Sequence, residues 1–149
     1  MSESSQNPQQ GTPGAYFKVL GFLKRVRKAG KTNPKEWKNF RRELSGCALA
    51  PDLLNAIDFW TMENLESHDP GHVRPRVLHE YEERLIPVQS HDEYLEAVRY
   101  GMVSPIQGEQ VIDELMEGGP QRVQPETMMD SLERKWTKNV RNYISSRLN

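Results

Sequence analysis

"LLNAIDFWTMENL", Leu53–Leu65, sets Phe59 and Trp60 side by side in a run otherwise dotted with acids and amides. Aromatic side chains bring large apolar areas, so the pair reads as an anchor that fastens a polar helix into a core. Pro51 opens this helix, and Asp52 falls in its first turn, where the helix dipole favours an acid.

Outward from that stretch the pattern stays helical. Upstream, "YFKVLGFLKRVRK" spaces Phe17, Leu20, Leu23 and Val26 for one helix face, and Gly30–Pro34 supplies a turn with a helix-starting proline. "PKEWKNFRREL" then places Trp37, Phe40 and Leu44 at helical intervals, and Gly46 closes it. Downstream, "SHDPGHVRP" (Ser67–Pro75) is a loop. From Pro75 an amphipathic stretch runs through Val77, Leu78, Tyr81 and Leu85 to Ile86. Ser90 and Glu93 have capping-box spacing for a helix over Asp92–Tyr100, broken by Gly101. After Pro105 come Val111, Ile112, Leu115 and Met116, then a double glycine. The last segment keeps Met128, Met129, Leu132, Trp136, Val140, Tyr143 and Ile144 on one stripe. No stretch alternates with the period of a strand. The expectation is an all-α bundle of eight to nine short helices joined by tight loops, with low contact order.

The 149 residues have room for one domain of ordinary size. Hydrophobic residues make up 36% and the mean hydropathy is −0.79, so the average is drawn down by a polar surface or a polar tail. Residues 1–15, "MSESSQNPQQGTPGA", are such a tail, expected to stay disordered, with the helical domain over 16–149. That tail lacks the charged start and apolar core of a secretory signal, and no window approaches the length of a membrane span. One cysteine, Cys47, excludes an intramolecular disulfide and suits a reducing compartment. The reading is a soluble, cytoplasmic protein.

A net charge of −1 hides a segregation. Residues 18–42 hold ten of the twenty Lys and Arg against Glu36 alone, whereas 43–117 hold sixteen of the twenty-one acids. Such asymmetry either steers the chain toward charged partners or leaves one helical face solvated. Trp37 and Phe40 fall on the apolar stripe, not among the lysines, and the isoelectric point is near 6.4, which argues against a dedicated nucleic-acid binder. His68 and His72 are four apart but flank "DPG" in a loop, so helical metal-ligand spacing does not apply and no metal is expected. Cys47 has no base nearby, and Gly118-Gly119 follow a helix and so form no phosphate cradle. No catalytic residue, metal ligand or cofactor is assigned.

Four stretches, in order from about residue 16 to 135, resemble the regulator of G-protein signalling (RGS) domain family. "NAIDFWTMENL" looks like its Asn-Ile-x-Phe-Trp signature, with Ile57, Phe59 and Trp60 in place. "VLHEYEERLI" resembles the helix after its central loop through Tyr81 and Leu85. "VRYGMVSP" resembles its Asn-Met-aliphatic-x-Pro stretch, and "VIDELMEGGPQRVQPETMMDSL" its closing pattern through Leu115, Met116, Arg122 and Leu132.

The resemblance implies a partner, the α subunit of a heterotrimeric G protein (Gα), and a surface that includes Asn55, Ala56, Gly101, Leu115 and Arg122. Gα carries its own catalytic Arg and a Gln that orients the attacking water. An RGS domain then acts by binding the switch segments in their transition-state shape, with an Asn positioning that Gln. In this chain the Asn position four before Trp60 is Ala56, the second is Gly101, and the late acid falls on Gly119 or is missing. Loss of such a donor costs on the order of 10²-fold in rate. The implied function is a Gα-binding or scaffolding module with weak or no GTPase activation, brought to the inner membrane surface by its partners. The alternatives are an activator using altered contacts, with Asn55 as the amide, and an unrelated helical adaptor. Asn at position 56, near a helix start, is expected to cost little.

Overall fold

The computed structural model describes residues 12–74 and 77–148. Seven α-helices account for most of them: α1 (Thr12–Ala29), α2 (Pro34–Ser45), α3 (Pro51–Ser67), α4 (Glu80–Leu85), α5 (Val88–Arg99), α6 (Pro105–Met116) and α7 (Pro125–Leu148). A 3-10 turn covers Pro70–His72. Among the described residues there is no strand, and no helix is long and apolar enough to cross a membrane. The all-α class is as expected, with seven α-helices where the pattern predicts eight to nine. The C-terminal segment is one continuous helix of 24 residues, and the stretch after Pro75 yields only the six-residue α4. The helix α1 starts at Thr12, inside the stretch assigned to the tail, and Ala15 is fully buried; residues 1–11 lie outside the described residues.

The chain divides into two compact units, 1–67 with 137–149, and 68–136. In the first, α1, α2 and α3 pack on one another. Phe22 of α1 lies flat on Phe40 of α2, with centroids 4.2 Å apart and planes at 9°. Trp37 meets both rings from the side, at 5.1 and 5.8 Å. Arg41 covers the Trp37 ring at 5.1 Å and donates Nε–H to Asp58 Oδ1 of α3 at 3.0 Å. Arg27 of α1 donates to the Asn64 carbonyl at 3.0 Å, satisfying one of the last four carbonyls of α3, which have no partner inside the helix. Gly30 takes φ +83° to close α1, and the Asn33 side chain caps α2 by accepting from Glu36 N–H at 2.9 Å. Gly46 stays right-handed at φ −75°, and the left-handed residue of this turn is Ala48 at φ +57°.

The sequence stripe on α1 needs correcting. Tyr16, Val19, Leu20, Phe22, Leu23 and Val26 are buried, whereas Phe17 is 55% exposed. Three successive steps of three residues turn about 900°, which puts Phe17 and Val26 on opposite sides of the helix. The Phe59–Trp60 pair is divided in the same way: Trp60 is buried and Phe59 is 53% exposed, so only the tryptophan is a core anchor.

In the second unit, α5 packs on α6 at Gly108. A Cβ there would come within 2.9 Å of both Tyr94 Cε1 and Val98 Cγ2, so only glycine admits this approach. A capping box forms at Ser104 and Gln107, which exchange backbone-to-side-chain bonds of 2.9 and 3.1 Å. The Ser90–Glu93 box does not form. α5 opens on Pro87 and starts at Val88, which leaves Ser90 inside the helix, fully buried. Tyr81 and Val77 are exposed, and the unit's contact from this stretch is made by Leu78, Leu85 and Ile86. Val123 N–H donates to the Leu85 carbonyl at 2.7 Å, tying the loop before α7 to the end of α4. Met128, Leu132 and Trp136 of α7 are fully buried.

Gly108→Ala is expected to destabilise the chain by about 1–3 kcal/mol, the usual cost of overpacking a closed contact. Thermal and urea unfolding of the two proteins measure it. Trp60→Ala is expected to cost about 3–5 kcal/mol while Phe59→Ala stays within about 0.5 kcal/mol of the parent, and the same denaturation midpoints separate the two.

Candidate functional site

The five residues drawn from the resemblance divide between the two units. Asn55 and Ala56 belong to α3 in the first, and Gly101, Leu115 and Arg122 to the second. Asn55 is exposed, and Phe59 lies one turn on along the same face, so the outward side of α3 presents an amide followed by an aromatic ring. Ala56 is only 4% exposed. A side chain there meets the core, so the expectation that Asn at 56 costs little is corrected. It would place an amide in a buried position, at about 1–3 kcal/mol.

Gly101 ends α5 with φ +79°, as expected of a C-terminal break. Met102 N–H then reaches back to the Ala97 carbonyl at 2.9 Å, and Met102 and Val103 are both fully buried. Asn is the substitution best tolerated in that left-handed backbone.

Leu115 is only 8% exposed and lines a cleft of about 290 Å³ between α6 and α7. Val123, Thr127, Ser131 and Arg134 complete the wall, and exposed Arg122 adjoins the liners Gln121 and Val123 in the chain. The polar side is organised by Glu114. Its Oε1 accepts from Ser131 Oγ at 3.1 Å and its Oε2 from Lys135 Nζ at 3.1 Å. Lys135 also reaches Gln110 Oε1 at 3.4 Å. Burial alone would push the Glu114 carboxyl up. The hydrogen bonds from Lys135 and Ser131, with the charges of Lys135 and Arg134, outweigh it, and the carboxyl sits below its ordinary range.

A second cleft, about 590 Å³, has no counterpart among the sequence motifs. It lies between the 3-10 turn and α5, with Asp92, Glu93, Glu96 and Arg99 on its wall. Burial pushes the Glu93 carboxyl up, a hydrogen bond with Gln89 opposes this, and the neighbouring Glu96 and Asp92 charges add to the rise. The i, i+1, i+4 spacing of Asp92, Glu93 and Glu96 is the available signal, but surface carboxylates on a helix look the same. His68 Nε2–H donates to the Arg99 carbonyl at 2.7 Å, while His72 pairs with Asp69 within the loop. The two histidines therefore have separate neighbours. Among the described residues no group of three or more His, Cys, Asp or Glu is placed to hold a metal ion. Cys47 is half-buried, and burial foremost raises its thiol, which keeps it a poor nucleophile.

The Glu114 contacts give a pH dependence of definite sign. A carboxyl whose folded value lies below its unfolded one adds stability above the ordinary glutamate range and loses it as pH falls through the folded value. Melting temperatures followed from neutral to acid pH should fall, and Glu114→Gln should flatten that acid limb. The carboxyl is nearly half exposed, so screening keeps the difference small.

Compared with known proteins, the chain matches no family model, no curated protein and no solved structure.

Proposed function

We propose that the chain is an RGS-like signalling module that binds a Gα subunit, or serves as a protein scaffold, and accelerates GTP hydrolysis weakly or not at all. The observation that carries this reading is the family order of four separated stretches from residue 16 to 135. The helix boundaries are compatible with it: α3 opens at Pro51, the chain breaks at Gly101, and α6 opens at Pro105. Trp60 is buried as a signature anchor must be, and Leu115 and Arg122 flank the turn between α6 and α7.

The weakness of activation follows from chemistry that is missing. The family amide is replaced at Ala56 by a buried methyl, and at Gly101 by a residue with no side chain. Neither can orient a water-positioning Gln, so binding would be nearly uniform across the partner's ground and transition states. The activator alternative has one observation in its favour, the exposure of Asn55 on α3.

A pull-down of the full chain against Gα subunits in three states tests this: GDP, a non-hydrolysable GTP analogue, and GDP with aluminium fluoride. The expected result is binding without preference for aluminium fluoride, and single-turnover hydrolysis raised by less than about ten-fold. An intact Asn contact is worth on the order of 10²-fold, so the two are distinguishable. Phe59→Ala should weaken binding with no change in the melting temperature. Strong preference for aluminium fluoride, lost in Asn55→Ala, would establish the activator alternative. No binding to any Gα in any state sinks the family reading.

A further inference from the structure

The first unit carries a charged surface that a Gα-binding role does not use. On α1 the cations Lys18, Arg25 and Lys28 are exposed, and on α2 Lys35, Lys38 and Arg42. Their spacing puts each set on one face of its helix. On α2 that face lies opposite the stripe of Trp37, Phe40 and Leu44; on α1 it lies away from buried Tyr16, Val19 and Leu23. None of the six pairs with a carboxylate among the described residues. The Arg25 guanidinium lies back along α1, 3.7 Å from where a Cβ on Gly21 would stand. Phe17 projects from the same side of α1, more than half exposed.

We infer that the outward faces of α1 and α2 form a docking surface for an anionic phospholipid bilayer. Unpaired cations gain from a negative lipid surface without first breaking an internal salt bridge. An exposed aromatic ring beside them has a place to go, the boundary between headgroups and acyl chains, and charge plus buried apolar area together set such binding. Nucleic acid fits less well. Four of the six cations are lysines, point charges suited to mobile headgroups, where base and phosphate recognition favours the arginine fork. Trp37 faces the other way, on the α2 stripe that packs on Phe22 and Phe40 and under Arg41, and so offers this face no ring for a base to stack on. This inference stands without a Gα partner.

Co-sedimentation of the full chain with vesicles tests it, using phosphatidylcholine alone and phosphatidylcholine with phosphatidylserine. The chain should pellet only with the phosphatidylserine vesicles, and less as salt is raised. Each cation at such a surface is worth about five-fold in partition, so Lys35→Glu with Lys38→Glu and Arg42→Glu should lose at least about a hundred-fold. All three are exposed, and an unchanged melting temperature verifies the fold. Should that triple variant fail to fold, Lys28→Gln with Lys38→Gln carries the test, with an expected loss of about twenty-fold. Phe17→Ala should weaken binding to phosphatidylserine vesicles further. Equal binding to both vesicle types, or undiminished binding by the folded charge variants, overturns the proposal. So does tight binding to duplex DNA by a chain that ignores both vesicles.

Discussion

Phe22 and Phe40 stack face to face at 4.2 Å, and the order of the first unit follows from that contact. It holds α1 against α2 and leaves Trp37 an edge to occupy, which in turn gives Arg41 a ring to cover. Arg41 then reaches Asp58, so α3 is joined to the aromatic cluster through a cation. The ion pair itself is partly exposed and contributes little, on the order of 0–1 kcal/mol. Burial of the rings stabilises the unit far more. The second unit depends on an opposite kind of constraint. At Gly108 the missing side chain lets α5 and α6 meet, and the contact has no slack.

What the sequence made legible was whatever depends on local backbone chemistry. Pro34 and Pro51 open helices where expected, and Gly30 and Gly101 close them with positive φ. Of the closing stripe, Met128, Leu132, Trp136 and Val140 are buried, Met129 and Tyr143 are only half-buried, and the Ile144 side chain lies outside the described residues. The departures have a common origin in geometry that short patterns underdetermine. Counting threes from Phe17 drifts around a helix of 3.6 residues per turn. Phe59 and its neighbour Trp60 differ because adjacent helical residues diverge by about 100°. Ser90 has the right spacing for a cap, but Pro87 starts the helix earlier and carries the serine inside it. Gly108 gives no local sign, because its role is set by Tyr94 and Val98, ten and more residues away.

The candidate site was legible only in part for a related reason. Residue identities pointed to α3 and to the turn between α6 and α7, but not to which side chains face outward. Asn55 and Ala56 are adjacent, yet one meets solvent and the other the core. Exposure therefore moves attention on α3 from Ala56 to the Asn55–Phe59 face. The α6–α7 cleft adds a feature no motif contained, a carboxylate at Glu114 fixed by Ser131 and Lys135. The acid-lined cleft beside α5 takes none of its carboxylates from the four resembling stretches.

The three tryptophans fall on both sides of the division between units, Trp37 and Trp60 in the first and Trp136 in the second. Their surroundings also differ, with Trp37 under a guanidinium, Trp60 nearly closed off and Trp136 wholly so. Intrinsic fluorescence is thus a built-in reporter with two addresses. With Trp136 replaced by Phe, the remaining emission follows the first unit alone. With Trp37 and Trp60 replaced, it follows the second. Comparing the two denaturation curves with that of the parent tells whether the units melt together or one at a time, without any added label.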